Sequence, residues 1–351
     1  MRRFGGVSCV LAMLFGAGPA SAQTPVTPPV TPPAARAAFH AYGAQLEGFD
    51  YPFPVRMFRT TAQGRPIEMA YMELAPARPN GRTVVLLHGK NFCAATWGDT
   101  ARVLAAAGYR VIAPDQIGFC KSSKPDGFQY SLPQLAALTA ELLRSRGVTQ
   151  ATIVGHSFGG MLAMRMAIAM PGLVDQLVLV NPLGLTDPLA QGVPYADIAQ
   201  FAAQEDRRDA ASIRAYERSA YYHGTWRKSY DRWVDMLAGL YAGSGHAAVA
   251  QAQARLSEMI ESQPVAYELH RIQAPTVLMI GTLDATAPGR DRAPPELRGG
   301  VPTIPASAAR AAAKMPHGRL VPLPGLGHAP QVEDPGRFQV ALLQALGGAL
   351  D

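Results

Sequence analysis

Cysteine is scarce in this sequence, with three residues in 351, at positions 9, 93 and 120. No Cys or His spacing suits zinc, and no GxGxxG or GxxxxGK[ST] segment occurs, so neither a metal site nor a nucleotide cradle is indicated. No cofactor is expected. Basic runs are missing as well: formal net charge is +6, but the arginines are scattered among acids. That pattern argues against a nucleic-acid stripe or a membrane-surface helix. The apolar stretch at residues 10–17 is too short to cross a bilayer.

What is present begins with a leader pattern. Arg2 and Arg3 precede that apolar stretch, and Ala20-Ser21-Ala22 gives a small-residue cleavage site before Gln23. Residues 1–22 are therefore expected to be a signal peptide and the mature protein to be periplasmic or secreted, without stable membrane insertion. Removal of Arg2 and Arg3 lowers the formal charge from +6 to +4. Residues 23–48, with the segment TPVTPPVTPPAARAAF, read as a proline-rich linker that builds neither helix nor central strand. The folded part is expected to begin near Phe49. It then runs for roughly 300 residues, suited to one large α/β domain carrying an insertion.

From residue 54 the pattern alternates between the periods of strand and helix. PVRMFRT and IEMAYMEL flank Ala62-Gln63-Gly64 as a hairpin. TVVLL (83–87), YRVIA (109–113), ATIVG (151–155) and QLVLV (176–180) read as buried strands separated by helices, one of them opened by a Ser131/Gln134 capping box. Strand and helix in alternation predict a parallel sheet covered on both faces. The alternation stops near residue 184 and resumes at TVLMIG (276–281) and RLVPL (319–323). Between them lie Tyr216, Tyr221, Tyr222, Trp226, Tyr230, Trp233 and Tyr241. An insertion there sits over the carboxyl ends of the strands, where open α/β sheets bind ligands, and reads as a cap. Most of its aromatics are expected in its own core, with a few lining a cavity.

Gly155-His156-Ser157-Phe158-Gly159 has the form GxSxG between a predicted strand and a predicted helix, the context that lifts a serine hydroxyl above a sheet. Flanking glycines avoid collision in so tight a turn. Serine needs a base to become a nucleophile, and the base needs an orienting acid. Asp284 follows the strand TVLMIG and His328 follows RLVPL, so both reach the sheet end where Ser157 emerges. Asp187 is an alternative acid, because a carboxylate can reach the same imidazole from a neighbouring strand. His317 and His270 precede their strands, His156 points elsewhere on the turn, and His88 braces its own loop. An oxyanion would be held by the backbone N–H groups of Phe158 and of Lys90 in the loop His88-Gly89-Lys90-Asn91-Phe92.

From about residue 50 to the C-terminus the chain resembles members of the α/β-hydrolase superfamily, through its HG loop, PDQIGF segment, GHSFGG elbow, Asp loop and His loop in family order. The resemblance implies an α/β fold with a mostly parallel eight-stranded sheet and helices on both faces. It divides the chain into a first core part (49–183), a helical cap (184–270) inserted after the sixth strand, and a second core part (271–351). Serine at the nucleophile position, where related dehalogenases and epoxide hydrolases use a carboxylate, implies acyl chemistry. A serine hydrolase acting on small to medium apolar carboxylic esters is expected, with a small-molecule ester or related acyl compound as its partner. C–C bond hydrolase, lactonase, perhydrolase and proline iminopeptidase-like activities use the same triad, and NPLGL at 181–185 is similar to the first of these. A catalytically idle ligand-binding domain is the reading from another class. Relatives carry DxxGxGxS after the fourth strand, whereas here Cys120 replaces the second glycine. Strand neighbours in the family order then imply a disulfide between Cys120 and Cys93.

Overall fold

Two residues with positive φ, Gln63 (52°) and Gly64 (72°), turn the chain between β1 (Val55–Ala62) and β2 (Arg65–Leu74). Positive φ at both positions matches the right-handed twist of a two-residue hairpin, and the strands pair antiparallel as the sequence predicts. In chain order there follow β3 (Thr83–Leu87), α1 (Gly98–Ala106), β4 (Arg110–Pro114), α2 (Leu132–Ser145), β5 (Ala151–His156), α3 (Phe158–Ala169) and β6 (Val174–Val180). Four helices come next: α4 (Ile198–Glu205), α5 (Ala210–Ala220), α6 (Lys228–Ala242) and α7 (His246–Ser262). The chain then forms β7 (Thr276–Gly281), α8 (Pro295–Arg298), α9 (Ile304–Lys314), β8 (Gly318–Leu323), α10 (Pro330–Glu333) and α11 (Pro335–Leu346). This computed structural model describes residues 40–347, so the expected signal peptide and most of the expected linker lie outside the described residues.

The eight strands form one sheet in the order β1-β2-β4-β3-β5-β6-β7-β8. β2 runs antiparallel to both neighbours, and every pairing from β4 to β8 is parallel. Successive side chains of a strand point to opposite faces, and the core divides accordingly. Val85, Leu87, Ile153, Leu177 and Leu179 pack against α2 and α3, whereas Val84, Leu86, Val154, Val178 and Val180 pack against α1 and α11. Burial on both faces is why these strands are continuous apolar runs. α2 starts where Ser131 predicts, its hydroxyl accepting from the Gln134 N–H at 3.1 Å.

The folded chain begins earlier than the expected boundary near Phe49. Residues 40–48 lie on the inserted helices: the Tyr42 N–H donates to the Gly239 carbonyl at 3.0 Å, and Leu46 is fully buried. Lys121 Nζ donates to the Leu46 carbonyl at 2.9 Å. The proline run ends at Pro33, and Tyr42 and Leu46 supply apolar anchors that a linker lacks. Gly243 leaves room for this passage, since a Cβ there would lie 1.6 Å from the Tyr42 carbonyl oxygen. Among the inserted aromatics, Tyr222 and Tyr230 stack with centroids 3.8 Å apart and, with Phe92, form a cluster packed by Trp226 and Trp233. No described helix is long and apolar enough to cross a membrane.

Leu46 tests the revised boundary. Leu46→Ala is expected to lower the unfolding free energy by about 2–5 kcal/mol, the cost of emptying a fully buried leucine site, measured by urea titration. A change within a few tenths of a kcal/mol would return residues 40–48 to the linker.

Candidate active site

β5 ends at His156 and α3 begins at Phe158, so Ser157 alone makes the turn, with φ 54° and ψ −118°. Such a conformation costs of order 1–3 kcal/mol and persists only where its surroundings enforce it. The Ser157 N–H donates to the Val180 carbonyl at 2.9 Å, and its own carbonyl accepts from Gly160 and Leu183, both at 3.0 Å. Gly155 and Gly159 are sterically required, since a Cβ on Gly155 would lie 2.3 Å from the Gly159 carbonyl oxygen and one on Gly159 2.3 Å from that of Leu87. Ser157 thus stands at the carboxyl end of the sheet, beside the loop after β3.

His328 and Asp284 reach the same end on the loops that follow β8 and β7. His328 Nδ1 lies 2.8 Å from Asp284 Oδ2, and both side chains are buried. Asp284 Oδ1 is occupied by the Thr286 N–H at 2.8 Å. A carboxylate at Nδ1 fixes the proton there, which leaves Nε2 with its lone pair. Nε2 is buried without a hydrogen-bond partner among the described residues, and His328 and Ser157 line one cavity. Such contacts commonly tighten only when substrate arrives. Asp187 does not join them: its carboxylate accepts from the Leu189 N–H at 3.0 Å and the Tyr267 hydroxyl at 2.7 Å, beside a different hollow.

Two further histidines, His156 and His88, hold loops. His156 Nε2 donates to the His328 carbonyl at 2.8 Å, and burial pushes its pKa well below the usual imidazole range, so it is neutral. His88 Nδ1 donates to the Gly89 carbonyl at 2.9 Å while Nε2 accepts from the Gln116 N–H at 3.1 Å. That fastens the loop bearing Lys90. Gly89 brings this loop against the elbow, since a Cβ there would lie 3.1 Å from the Ser157 Cβ. The backbone N–H groups of Lys90 and Phe158 have no partner among the described residues. Asp115 ties this loop to the segment after β4, accepting from the Ala94 N–H at 2.7 Å and the Lys121 N–H at 3.1 Å. Cys93 and Cys120 span the same two loops with Cα atoms 5.9 Å apart, a separation that a disulfide can bridge.

Two residues for which sequence reasoning found no role beside His328 hold its loop. Asn181, at φ 41° directly after β6, donates from Nδ2 to the carbonyls of Gly327 (2.9 Å) and His328 (2.8 Å). Its Oδ1 accepts from the Gly281 N–H at 2.9 Å, so one side chain joins the ends of three adjacent strands. The available signal was an asparagine ending an apolar strand, a residue type that tolerates positive φ. Tyr221 accepts the His328 N–H at its carbonyl (2.9 Å) and sets its ring 4.5 Å from the imidazole. Nothing in the sequence separates Tyr221 from its six aromatic neighbours.

The cavity beside Ser157 and His328 measures about 290 Å³. Leu183, Phe201 and Ile260 give it an apolar wall, but Lys90, Glu205 and Arg208 line it too. Lys90 Nζ lies 2.7 Å from Glu205 Oε1 and an Arg208 guanidinium nitrogen 3.3 Å from Oε2. Burial alone would raise the Glu205 pKa, but the two cations outweigh it and bring the carboxyl down to about 2. The cavity is therefore partly ionic, which the aromatic pattern of the insertion did not foretell.

Asn181→Ala is expected to cost about 1–3 kcal/mol of stability, because the Gly281 N–H and the Gly327 carbonyl lose their buried partner. Chemical denaturation of the purified variant checks this; an unchanged midpoint would show that the loops hold without it.

The alpha/beta hydrolase family model matches residues 84–341. A probable hydrolytic enzyme from Pseudomonas aeruginosa PAO1, of known crystal structure, is 51% identical, with a TM-score of 0.86 over 88% of this chain and 98% of that one. A 2-hydroxy-6-oxo-2,4-heptadienoate hydrolase of Pseudomonas putida is 34% identical over 180 residues, 45% of this chain and 65% of that protein. The chain thus spans somewhat less than two thirds of that relative. An esterase of Thermogutta terrifontis shares the fold at 22% identity, with a TM-score of 0.64 over 83% of this chain and 98% of that one. On the matched residues and the fold together, the chain belongs to the alpha/beta hydrolase family.

Proposed function

We propose that this hydrolase cleaves carboxylic esters through an acyl-enzyme intermediate. The observation that carries the reading is the buried His328–Asp284 pair at 2.8 Å, whose unpartnered Nε2 belongs to the cavity that Ser157 lines. Ser157 Oγ attacks the ester carbonyl while His328 Nε2 takes its proton, and Asp284 holds the resulting imidazolium. The tetrahedral oxyanion accepts from the N–H groups of Lys90 and Phe158. Collapse expels the alcohol, which takes the proton from Nε2. Water then attacks the acyl-enzyme, passes its proton to Nε2, and releases the acid as Ser157 regains its hydrogen. The helices at 184–270 act as a cap that shapes the substrate cavity.

A second reading, C–C bond hydrolysis, draws support from the 34% identity to the 2-hydroxy-6-oxo-2,4-heptadienoate hydrolase. Both readings use the same triad, and the substrate turned over tells them apart. Dehalogenation is not proposed, since a serine stands at the nucleophile position. We also propose that the protein is exported after cleavage near residue 22, and that Cys93 and Cys120 form a disulfide in the oxidising compartment it reaches.

Two measurements check this. The mature protein should hydrolyse p-nitrophenyl acetate or butyrate, with kcat lowered about 10⁴- to 10⁶-fold in Ser157→Ala. A wild type inert to these esters but active on 2-hydroxy-6-oxo-2,4-heptadienoate would replace the first reading by the second. Thiol titration of the mature protein, denatured without reductant, should find no free thiol; two per chain would exclude the disulfide.

A further inference from the structure

Two cations that line the cavity, Lys90 and Arg208, share a single carboxylate, Glu205. Lys90 and Arg208 both face Glu205, which also accepts the hydroxyls of Tyr241 and, at 3.5 Å, Ser257. One carboxylate therefore stands against two cations. Of the other acids, Glu261 is held by both its oxygens on Arg292, Asp291 is exposed, and burial pushes the carboxyl of Glu217, on which Arg208 acts, up to about 8. His328 is committed to Asp284 through Nδ1. Within the Lys90–Glu205–Arg208 group one positive charge is left over, and the Asp284 carboxylate that offsets it overall is engaged by His328 and the Thr286 N–H.

The donors that could meet a counter-ion are present. Lys90 gives one of its three N–H groups to Glu205, and the bonds of Arg208 to Glu205 and Asn91 come from its two terminal nitrogens at 3.3 Å. A guanidinium fork beside an ammonium suits a carboxylate, which accepts two parallel bonds from one and a point charge from the other. Leu183, Phe201 and Ile260 form the apolar stretch of the same cavity. A volume of about 290 Å³ suits a small ligand.

We infer that Lys90 and Arg208 form an anion-recognition subsite, and that the substrate carries a carboxylate joined by a short hydrocarbon segment to the scissile acyl group. This rests on the serine hydrolase reading above. Glu205 is the positioning residue that holds the two cations together.

Two substrate pairs test the inference, each an acid and its methyl-capped neutral partner. One carries the charge on the acyl side (p-nitrophenyl hydrogen adipate against p-nitrophenyl methyl adipate). The other carries it on the alcohol side (the butyrate ester of 4-hydroxybenzoate against that of methyl 4-hydroxybenzoate). In at least one pair the acid should be favoured by about tenfold or more in kcat/KM, through a lower KM. Arg208→Gln should bring that ratio towards one, while Arg208→Lys keeps part of it. Preference for the neutral partner in both pairs, or an acid preference that survives Arg208→Gln and Lys90→Met alike, would overturn the subsite. Hydrolysis of the neutral esters that depends on Ser157 would then leave the serine hydrolase reading standing. No hydrolysis together with no fluorophosphonate labelling of Ser157 would remove both.

Discussion

An imidazole and a carboxylate taken out of water must meet each other, and the carboxyl end of this sheet is arranged around that demand. His328 and Asp284 are 44 residues apart in sequence and come from different loops, so neither can hold the 2.8 Å contact by local structure. The loops are fixed from several sides at once. Asn181 binds the carbonyls of Gly327 and His328 together with the Gly281 N–H, His156 adds a second donor to the His328 carbonyl, and Tyr221 accepts the His328 N–H. Glu333 accepts the Gly327 N–H at 2.6 Å and pairs with His223 at 2.7 Å. Close approach makes these bonds possible, since a Cβ on Gly327 would lie 1.9 Å from the Tyr221 carbonyl oxygen. A buried polar group without such partners would cost more than the pair returns.

The inserted helices are joined to this arrangement rather than laid over it. Ala220 accepts the Ala285 N–H at 3.3 Å, Tyr221 takes that of His328, and Asn91 Nδ2 donates to the Tyr221 hydroxyl at 3.1 Å. Lys90 reaches Glu205 at the end of α4. The loops after β3, β7 and β8 each touch the insertion, so its position and that of the candidate catalytic groups are set together. One consequence concerns the substrate: the insertion brings charge as well as aromatic surface, and the cavity is amphiphilic where its aromatic content alone promised an apolar one.

Much of the fold was legible because its signals are local. Strands buried on both faces must be apolar throughout, which made TVVLL, ATIVG and TVLMIG readable in isolation. GxSxG was readable because a turn with Ser157 at φ 54° excludes side chains at Gly155 and Gly159, whatever else the chain does. His328 and Asp284 followed from strand order, since loops after parallel strands share one end of the sheet. Residues 40–48 were misjudged because their anchors lie far along the chain, the Tyr42 N–H bonding Gly239 in α6 and the Leu46 carbonyl bonding Lys121, with no visible link to them in the sequence.

By itself the sequence determined the alternation of strands and helices, the elbow serine and the kinds of residue placed at the strand ends, because each depends on backbone sterics or burial period within a few residues. Only the tertiary structure decided which acid faces His328, that Asn181 and Tyr221 hold it, and that Lys90 meets Glu205 across 115 residues to make the cavity partly ionic. Those outcomes depend on distances between loops, and the distances exist only once the sheet has closed and the insertion has packed against it.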